Sequence, residues 1–398
     1  MEKNLELYIH IPFCVKKCNY CDFVSFPCGE DGISKYIDAL IGEININSEI
    51  YSDYNITSIF IGGGTPSILK PEQILKLGKA LSGAFDLSGL SGKKKNLFRK
   101  KEVKPSIEFT VECNPGTLDP EKLKALKEIG VNRLSMGLQS ASDAELKELG
   151  RIHTFDDFLD SYNMARDAGF DNINIDLMQA VPLQTIDSWK KTLRQVYMLK
   201  PEHISAYSLM IEEGTPFYER MNSDLPLALP DEDEERLIYH STKEILENVG
   251  YKRYEISNYA LPGYECRHNT GYWRRENYLG LGLNSSSMVD NVRWKNTDDF
   301  SAYLSGDHEK LDYEKLSRAD QMAEFMFLGL RMTDGISKEK FFETFGQDYD
   351  FTFGIATGKL INDGFLREYM NESEERFVAM TDKGIDLSNI VLAEFLPD

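Results

Sequence analysis

Along the first half of the chain, hydrophobic positions fall in short runs separated by segments with helical spacing. Six runs read as β-strands: residues 5–10, 56–61, 107–112, 132–138, 172–178 and 203–209. Each is short, apolar or mixed, and bounded by turn residues or helical patterns. The segments between them carry helix signals. Asp119 can cap orphan amides, Pro120 suits the first helical position and Gly130 suits the end. Ser142 to Glu145 has the spacing of a capping box, Thr154 opens a helix that Gly169 closes, and Thr185 opens the next.

Repeated βα units imply a parallel sheet, because right-handed crossovers put a helix between successive parallel strands. Six such units predict an α/β fold, a partial and open (β/α)6 barrel. Functional residues then belong at the C-terminal ends of the strands. From about Pro230 the rhythm changes. A charged helix over 231–249 leads to a β-like stretch at 251–257 and a loop rich in Tyr, Asn and Gly. Helical patterns follow at 318–332, 337–345 and 351–363, then a hairpin-like stretch at 365–380 and a last helix. This predicts three parts: a barrel core over 1–229, an extension over 230–305 and a winged-helix-like α+β module over 306–398.

Composition narrows the function. The chain has 398 residues with 45 basic and 65 acidic side chains, a formal net charge of -20. Broad nucleic-acid binding leaves a basic footprint, which is lacking here, so the winged-helix-like module is expected to pack on the barrel or recruit a partner. One basic segment, 93–104, with seven Lys or Arg, reads as a solvated loop insertion. Without an 18-residue apolar stretch or a signal-peptide layout, the expectation is a cytoplasmic protein with no membrane span.

Three of the six cysteines, Cys14, Cys18 and Cys21, lie directly after the first strand run. Clustered cysteines in a long chain without a secretory signal point to metal rather than disulfides. An iron–sulfur cubane normally takes four thiolates, so three would leave one iron open. A zinc site would need a fourth His or Cys, and His10 could serve.

The segment YIHIPFCVKKCNYCDF resembles the signature of radical S-adenosylmethionine proteins, and specifically their HemN/HemW branch. The resemblance implies a 4Fe–4S cluster on Cys14, Cys18 and Cys21, with S-adenosylmethionine bound at the open iron. It implies that Gly63, Gly64 and Thr65, in the GGGTP run, face the methionine amine. It further implies that Glu112, Gln139, Arg151 and Asp176 contact the ribose, adenine or methionine part, with weaker contacts from Tyr8 and Tyr20. An electron donor such as a flavodoxin or ferredoxin follows from the same likeness.

The likeness runs over nearly the whole chain, including GRIHT, YEISNYA and HNTGYW. Within the branch, the coproporphyrinogen dehydrogenases carry a further cysteine two residues after the third, where this chain has Phe23. The Cys-Asp-Phe ending and His268-Asn269-Thr270-Gly271-Tyr272-Trp273 resemble the branch's haem chaperones instead. That resemblance implies haem binding at His268 and delivery to acceptor proteins, with no residue assigned a catalytic role. The alternative is oxygen-independent oxidative decarboxylation of coproporphyrinogen III. One departure stands out: Ser286 occupies a position that is commonly histidine in the family. Cys266 could be a thiolate ligand but reads more simply as a free buried cysteine.

Overall fold

The structure is a computed structural model that describes residues 3–90 and 106–397; the basic segment 93–104 lies outside them. The six expected strands form as β1 (Asn4–Ile11), β2 (Asn55–Gly63), β3 (Glu108–Cys113), β4 (Arg133–Gln139), β5 (Ile173–Gln179) and β6 (His203–Ser208). They are parallel and adjacent in chain order, as right-handed βα units require. Along β1, Leu5, Leu7, Ile9 and Ile11 are fully buried and belong to the main core. Glu6, Tyr8 and His10 alternate with them and so point to the opposite, inner face.

The sheet continues past both ends of this set. Its order is β12-β11-β10-β9-β1-β2-β3-β4-β5-β6-β8-β7, with β7 (Lys252–Arg253), β8 (Asn258–Ala260), β9 (Tyr278–Leu281), β10 (Ser286–Val289), β11 (Val292–Asn296) and β12 (Lys310–Lys315). Its ends, β12 and β7, are different strands in this order. The sheet is therefore a large, mostly parallel one that curls without closing, as the sequence pattern implies. The extension is pinned to the first helix, Glu30–Ile50, by a buried carboxylate. Glu43 accepts from Gly282 N (2.8 Å), Asn296 Nδ2 (2.6 Å) and the Tyr303 hydroxyl (2.7 Å). Three donors offset the cost of burying that group.

The C-terminal module holds helices Arg318–Gly329, Lys338–Phe345 and Tyr349–Asn362 and a small antiparallel sheet. In it β13 (Ile336–Ser337), β15 (Arg376–Met380) and β14 (Leu366–Met370) lie in that order. Glu324 ties the module to the extension through Arg275 (2.8 Å) and Arg293 (2.5 Å), and Asp382 does so through Arg253 (2.8 Å). Its third helix points Phe351 (89% exposed) and Ile355 (94% exposed) outward, an apolar face rather than a basic one.

Local expectations differ from the structure in two places. The stretch 251–257 shrinks to the two residues of β7, which pairs antiparallel with β8 just beyond it, and β8 pairs antiparallel with β6. Ser142 precedes the helix Asp143–Glu148 without capping it by its side chain. Glu145, the other half of the presumed box, turns inward to the hydroxyls of Ser140 and Ser188, each 2.6 Å away. Asp119, Thr154 and Thr185 do cap their helices through their side chains.

Candidate cofactor site and the opposite end of the barrel

The loop between β1 and the first helix is closed at its base by backbone bonds from Phe26 N to Pro12 O and from Cys14 N to Phe26 O. Its tip is tied to the segment after β4, where Asn19 N meets Leu149 O (3.0 Å) and Asn19 Nδ2 meets Glu148 O (2.9 Å). Cys14, Cys18 and Cys21 are thereby held half-exposed over the C-terminal ends of the strands, at the mouth of a cavity of about 320 Å³. The same cavity is lined by Tyr20, Gly63, Gly64, Thr65, Glu112, Gln139, Arg151 and Asp176. Eleven residues singled out in the sequence thus surround one space.

Gly63 has φ +110°, and a Cβ on Gly64 would come within 2.6 Å of the Phe13 carbonyl oxygen. Only glycine fits this turn, which brings bare backbone to the cavity. The Gly63 N–H donates to Glu112 Oε2 (3.0 Å). Burial, and then the nearby Asp176 carboxylate, push the Glu112 acid up to about 8. Asp176 accepts from Ser135 Oγ (2.9 Å) and Asn174 Nδ2 (2.8 Å).

A chain of polar contacts links two of the thiols. Cys14 Sγ lies 3.4 Å from Thr65 Oγ1, and Asn114 Nδ2 donates to that oxygen (2.7 Å). Arg151 donates to Asn114 Oδ1 (2.8 Å) and to Cys18 Sγ (3.6 Å). Asn114 was missed in the sequence, although a polar residue just before Pro115 at a strand's C-terminal end is a readable signal. His153 was also missed as a single residue. Burial lowers its imidazole to about 4, so it is neutral, with Nε2 unpartnered.

Gln139 Oε1, Arg151 Nε and His153 Nε2 are all buried polar atoms without protein partners, on residues that line the cavity. Gln139 also holds a left-handed backbone, φ 67°. Unsatisfied donors and acceptors around a space with three thiols fit a polar ligand beside an iron–sulfur cluster. A zinc centre closed by His10 fits poorly. His10 Nδ1 is bonded to the Tyr8 hydroxyl (2.9 Å) and Nε2 lies 2.9 Å from Val24 O.

Tyr8 and His268 stand apart from this cavity. Tyr8 lines a second one, of about 380 Å³, together with His10, Tyr272, Tyr278 and Ser286, and Phe23 borders both. His268 sits on the helix Arg267–Trp273, packed against the N-terminal ends of the strands. It is 1% exposed, stacks on Phe60, and has Nδ1 2.8 Å from Ser58 Oγ and Nε2 3.2 Å from the Tyr272 hydroxyl. A direct haem ligand needs a free ring nitrogen at an open face, and His268 has neither in this arrangement. Cys266 is buried, with its thiol 3.4 Å from Glu108 Oε1.

The class follows from this core: residues 8–196 match the Radical SAM superfamily and residues 316–387 the HemN C-terminal domain. The chain is 37% identical over 400 residues to the heme chaperone HemW of Lactococcus lactis, covering 100% of this chain and 99% of that one. It is 36% identical to the heme chaperone HemW of Bacillus subtilis, with 98% of each covered. Coproporphyrinogen III oxidase (HemN) from Escherichia coli shares the fold, with a TM-score of 0.81 at 23% identity over 99% of this chain and 90% of that one. The chain therefore belongs to the radical SAM superfamily and, within it, to the heme chaperone HemW family.

Proposed function

We propose that the protein is a haem chaperone that binds haem and passes it to acceptor proteins. The similarity over the full chain to proteins named heme chaperone HemW carries this reading. Phe23, at the place where the dehydrogenases of the branch have an extra cysteine, supports it. Cys14, Cys18 and Cys21 would hold a 4Fe–4S cluster, and the residues lining the cavity beside them would hold S-adenosylmethionine. When bound, the two supply one-electron chemistry.

The protein's own groups orient the cofactor and keep water out. The backbone at Gly63, Gly64 and Thr65 takes the amino-acid end. Glu112 and Asp176 suit hydroxyl or ammonium donors, while Gln139, Arg151 and His153 offer their unpartnered atoms. Tyr20 roofs the space, packed with Leu149, Met178 and Phe217. Haem is taken up near the helix Arg267–Trp273.

Lys16 and Lys17 are exposed at the mouth beside Cys18, which suits an acidic electron carrier such as a flavodoxin or ferredoxin. Among the described residues no helix is long and apolar enough to cross a membrane. A cytoplasmic setting, reducing enough to keep the thiols free, fits the six unpaired cysteines.

Anaerobic reconstitution with iron and sulfide, followed by parallel assays, tests the reading. The expected outcome is stoichiometric haem binding and transfer to an apo-haem protein. Absence of haem binding would overturn it, and conversion of coproporphyrinogen III to protoporphyrinogen IX would make the protein a dehydrogenase instead.

A further inference from the structure

Asn114 stands directly after β3, in the wall of the cofactor cavity. Its backbone is held on both sides: the N–H donates to Ser67 Oγ (3.1 Å), and the carbonyl accepts from the Thr117 hydroxyl (2.7 Å). Pro115 behind it disfavours the helical region and narrows its conformation further. Gly137 leaves room for the side chain, since a Cβ there would come within 3.0 Å of Asn114 Oδ1. The amide is thus fixed in place by the protein itself.

The direction of the hydrogen bonds through Asn114 follows from one neighbour. A guanidinium has donors and no acceptor, so the Asn114 atom 2.8 Å from Arg151 Nη2 must be the oxygen. Asn114 Nδ2 therefore faces Thr65 and donates to its hydroxyl oxygen (2.7 Å). The single hydrogen of that hydroxyl is left to point elsewhere, and Cys14 Sγ lies 3.4 Å away. A thiolate on iron carries no hydrogen and can only accept. Arg151 meanwhile places Nη1 3.6 Å from Cys18 Sγ, with Nη2 anchored on Asn114 and on the Gly137 carbonyl (2.8 Å). Its Nε, which has no protein partner, remains for the cofactor.

Resting on the reading of Cys14, Cys18 and Cys21 as cluster ligands, we infer that Asn114 is a positioning residue that raises the cluster's reduction potential. It does so by turning the Thr65 O–H onto Cys14 and the Arg151 N–H onto Cys18. Reduction adds one electron to the oxidised cluster, and a carrier of the flavodoxin or ferredoxin class supplies it. No bond to the protein breaks and no proton moves. The added negative charge falls partly on the sulfurs, so donors aimed at them bind the reduced form more strongly than the oxidised one. Asn114 touches neither thiol, yet it sets the direction of one donor and the place of the other. Such partners behind the ligands tune a metal centre as the ligands themselves do.

The test is a redox titration of the full-length reconstituted protein, followed by the electron paramagnetic resonance signal of the reduced cluster. Asn114→Ala releases both donors and should shift the reduction equilibrium against the cluster at least about tenfold, about 59 mV for one electron. Thr65→Val keeps the shape, loses the hydroxyl and should give a smaller shift in the same direction. Because Asn114 acts partly through Thr65, the double variant should fall short of the sum of the two. Asn114→Ala at the wild-type potential overturns the inference, and so do strictly additive shifts. Should Asn114→Ala load no cluster, Thr65→Val decides alone, and an unmoved potential overturns the inference. In each of these cases the cluster assignment stands. Wild type that assembles no cluster removes that assignment and this inference together.

Discussion

The two ends of the barrel are built from the same material and behave differently. At both, the inner face of the strands is polar: Glu112, Ser135 and Asp176 toward the cysteines, Glu108, Asn174 and His203 toward the helix Arg267–Trp273. At the latter end the groups satisfy one another. His203 lies 2.6 Å from Asn174 Oδ1 and 2.9 Å from the Tyr254 hydroxyl, and Glu108 accepts from the backbone of Arg267 and His268. Glu6 Oε2 and Arg133 Nε are left over there, on buried side chains that line neither of the two cavities described above. At the cysteine end the unpartnered atoms border a cavity. A polar barrel interior therefore marks a site only where missing partners coincide with room for a ligand.

The largest expected effect lies at the open end. Cys18→Ser removes a thiolate that Arg151 addresses from outside the loop, and it should abolish cluster binding, with loss of iron and of the cluster's visible absorbance after reconstitution. The chain should still fold, because Cys18 is half-exposed and outside the core. A variant that retains a full cluster would break the assignment of that end as the cofactor site.

A smaller effect comes from the buried acid beside it. Glu112 has a folded-state value near 8 against an ordinary 4.5, so between those values the folded chain holds a proton that the unfolded chain releases. The stability it contributes is full below about pH 4.5 and is lost as pH rises toward 8, on the order of 5 kcal/mol in the cofactor-free protein. Glu112→Gln keeps the shape and removes the charge. Denaturant midpoints measured across that window should fall for wild type and fall less steeply for the variant, in which the buried acids Glu6, Glu43, Asp176 and Glu255 still titrate. Parallel slopes would mean that Glu112 is not the group responsible.

Much of this was legible in the sequence, for physical reasons. Strand alternation and helix caps are local signals, so β1 to β6 and the caps at Asp119, Thr154 and Thr185 could be read directly. The convergence of Cys14, Gly63, Glu112, Gln139 and Arg151 followed from one rule, that parallel strands present their C-terminal ends together. Three things were not legible. The inward turn of Glu145 depends on Ser188, remote in sequence, as well as on nearby Ser140, so the capping-box spacing alone does not reveal it. Asn114 gains its importance from Thr65 and Arg151, remote in sequence. The burial of His268 depends on where its helix docks, and periodicity over seven residues cannot show that.

The closed end supplies the smallest and most discriminating effect. His203 is fully buried and bonded through both ring nitrogens, so its loss should act on stability alone. In His203→Leu, Asn174 Oδ1 keeps Ser205 Oγ (3.2 Å) and the Tyr254 hydroxyl keeps the backbone N–H of Cys266 (3.2 Å). Neither group is orphaned outright, which limits the cost to about 2 kcal/mol, within the range for buried groups that lose a partner. Urea unfolding should show that loss, while S-adenosylmethionine affinity of the reconstituted protein stays within about twofold, since 1.4 kcal/mol would already be tenfold. A tenfold weaker affinity would show that Asn174, which bonds both His203 and Asp176, passes strain from one end to the other. The two ends would then be one site rather than two.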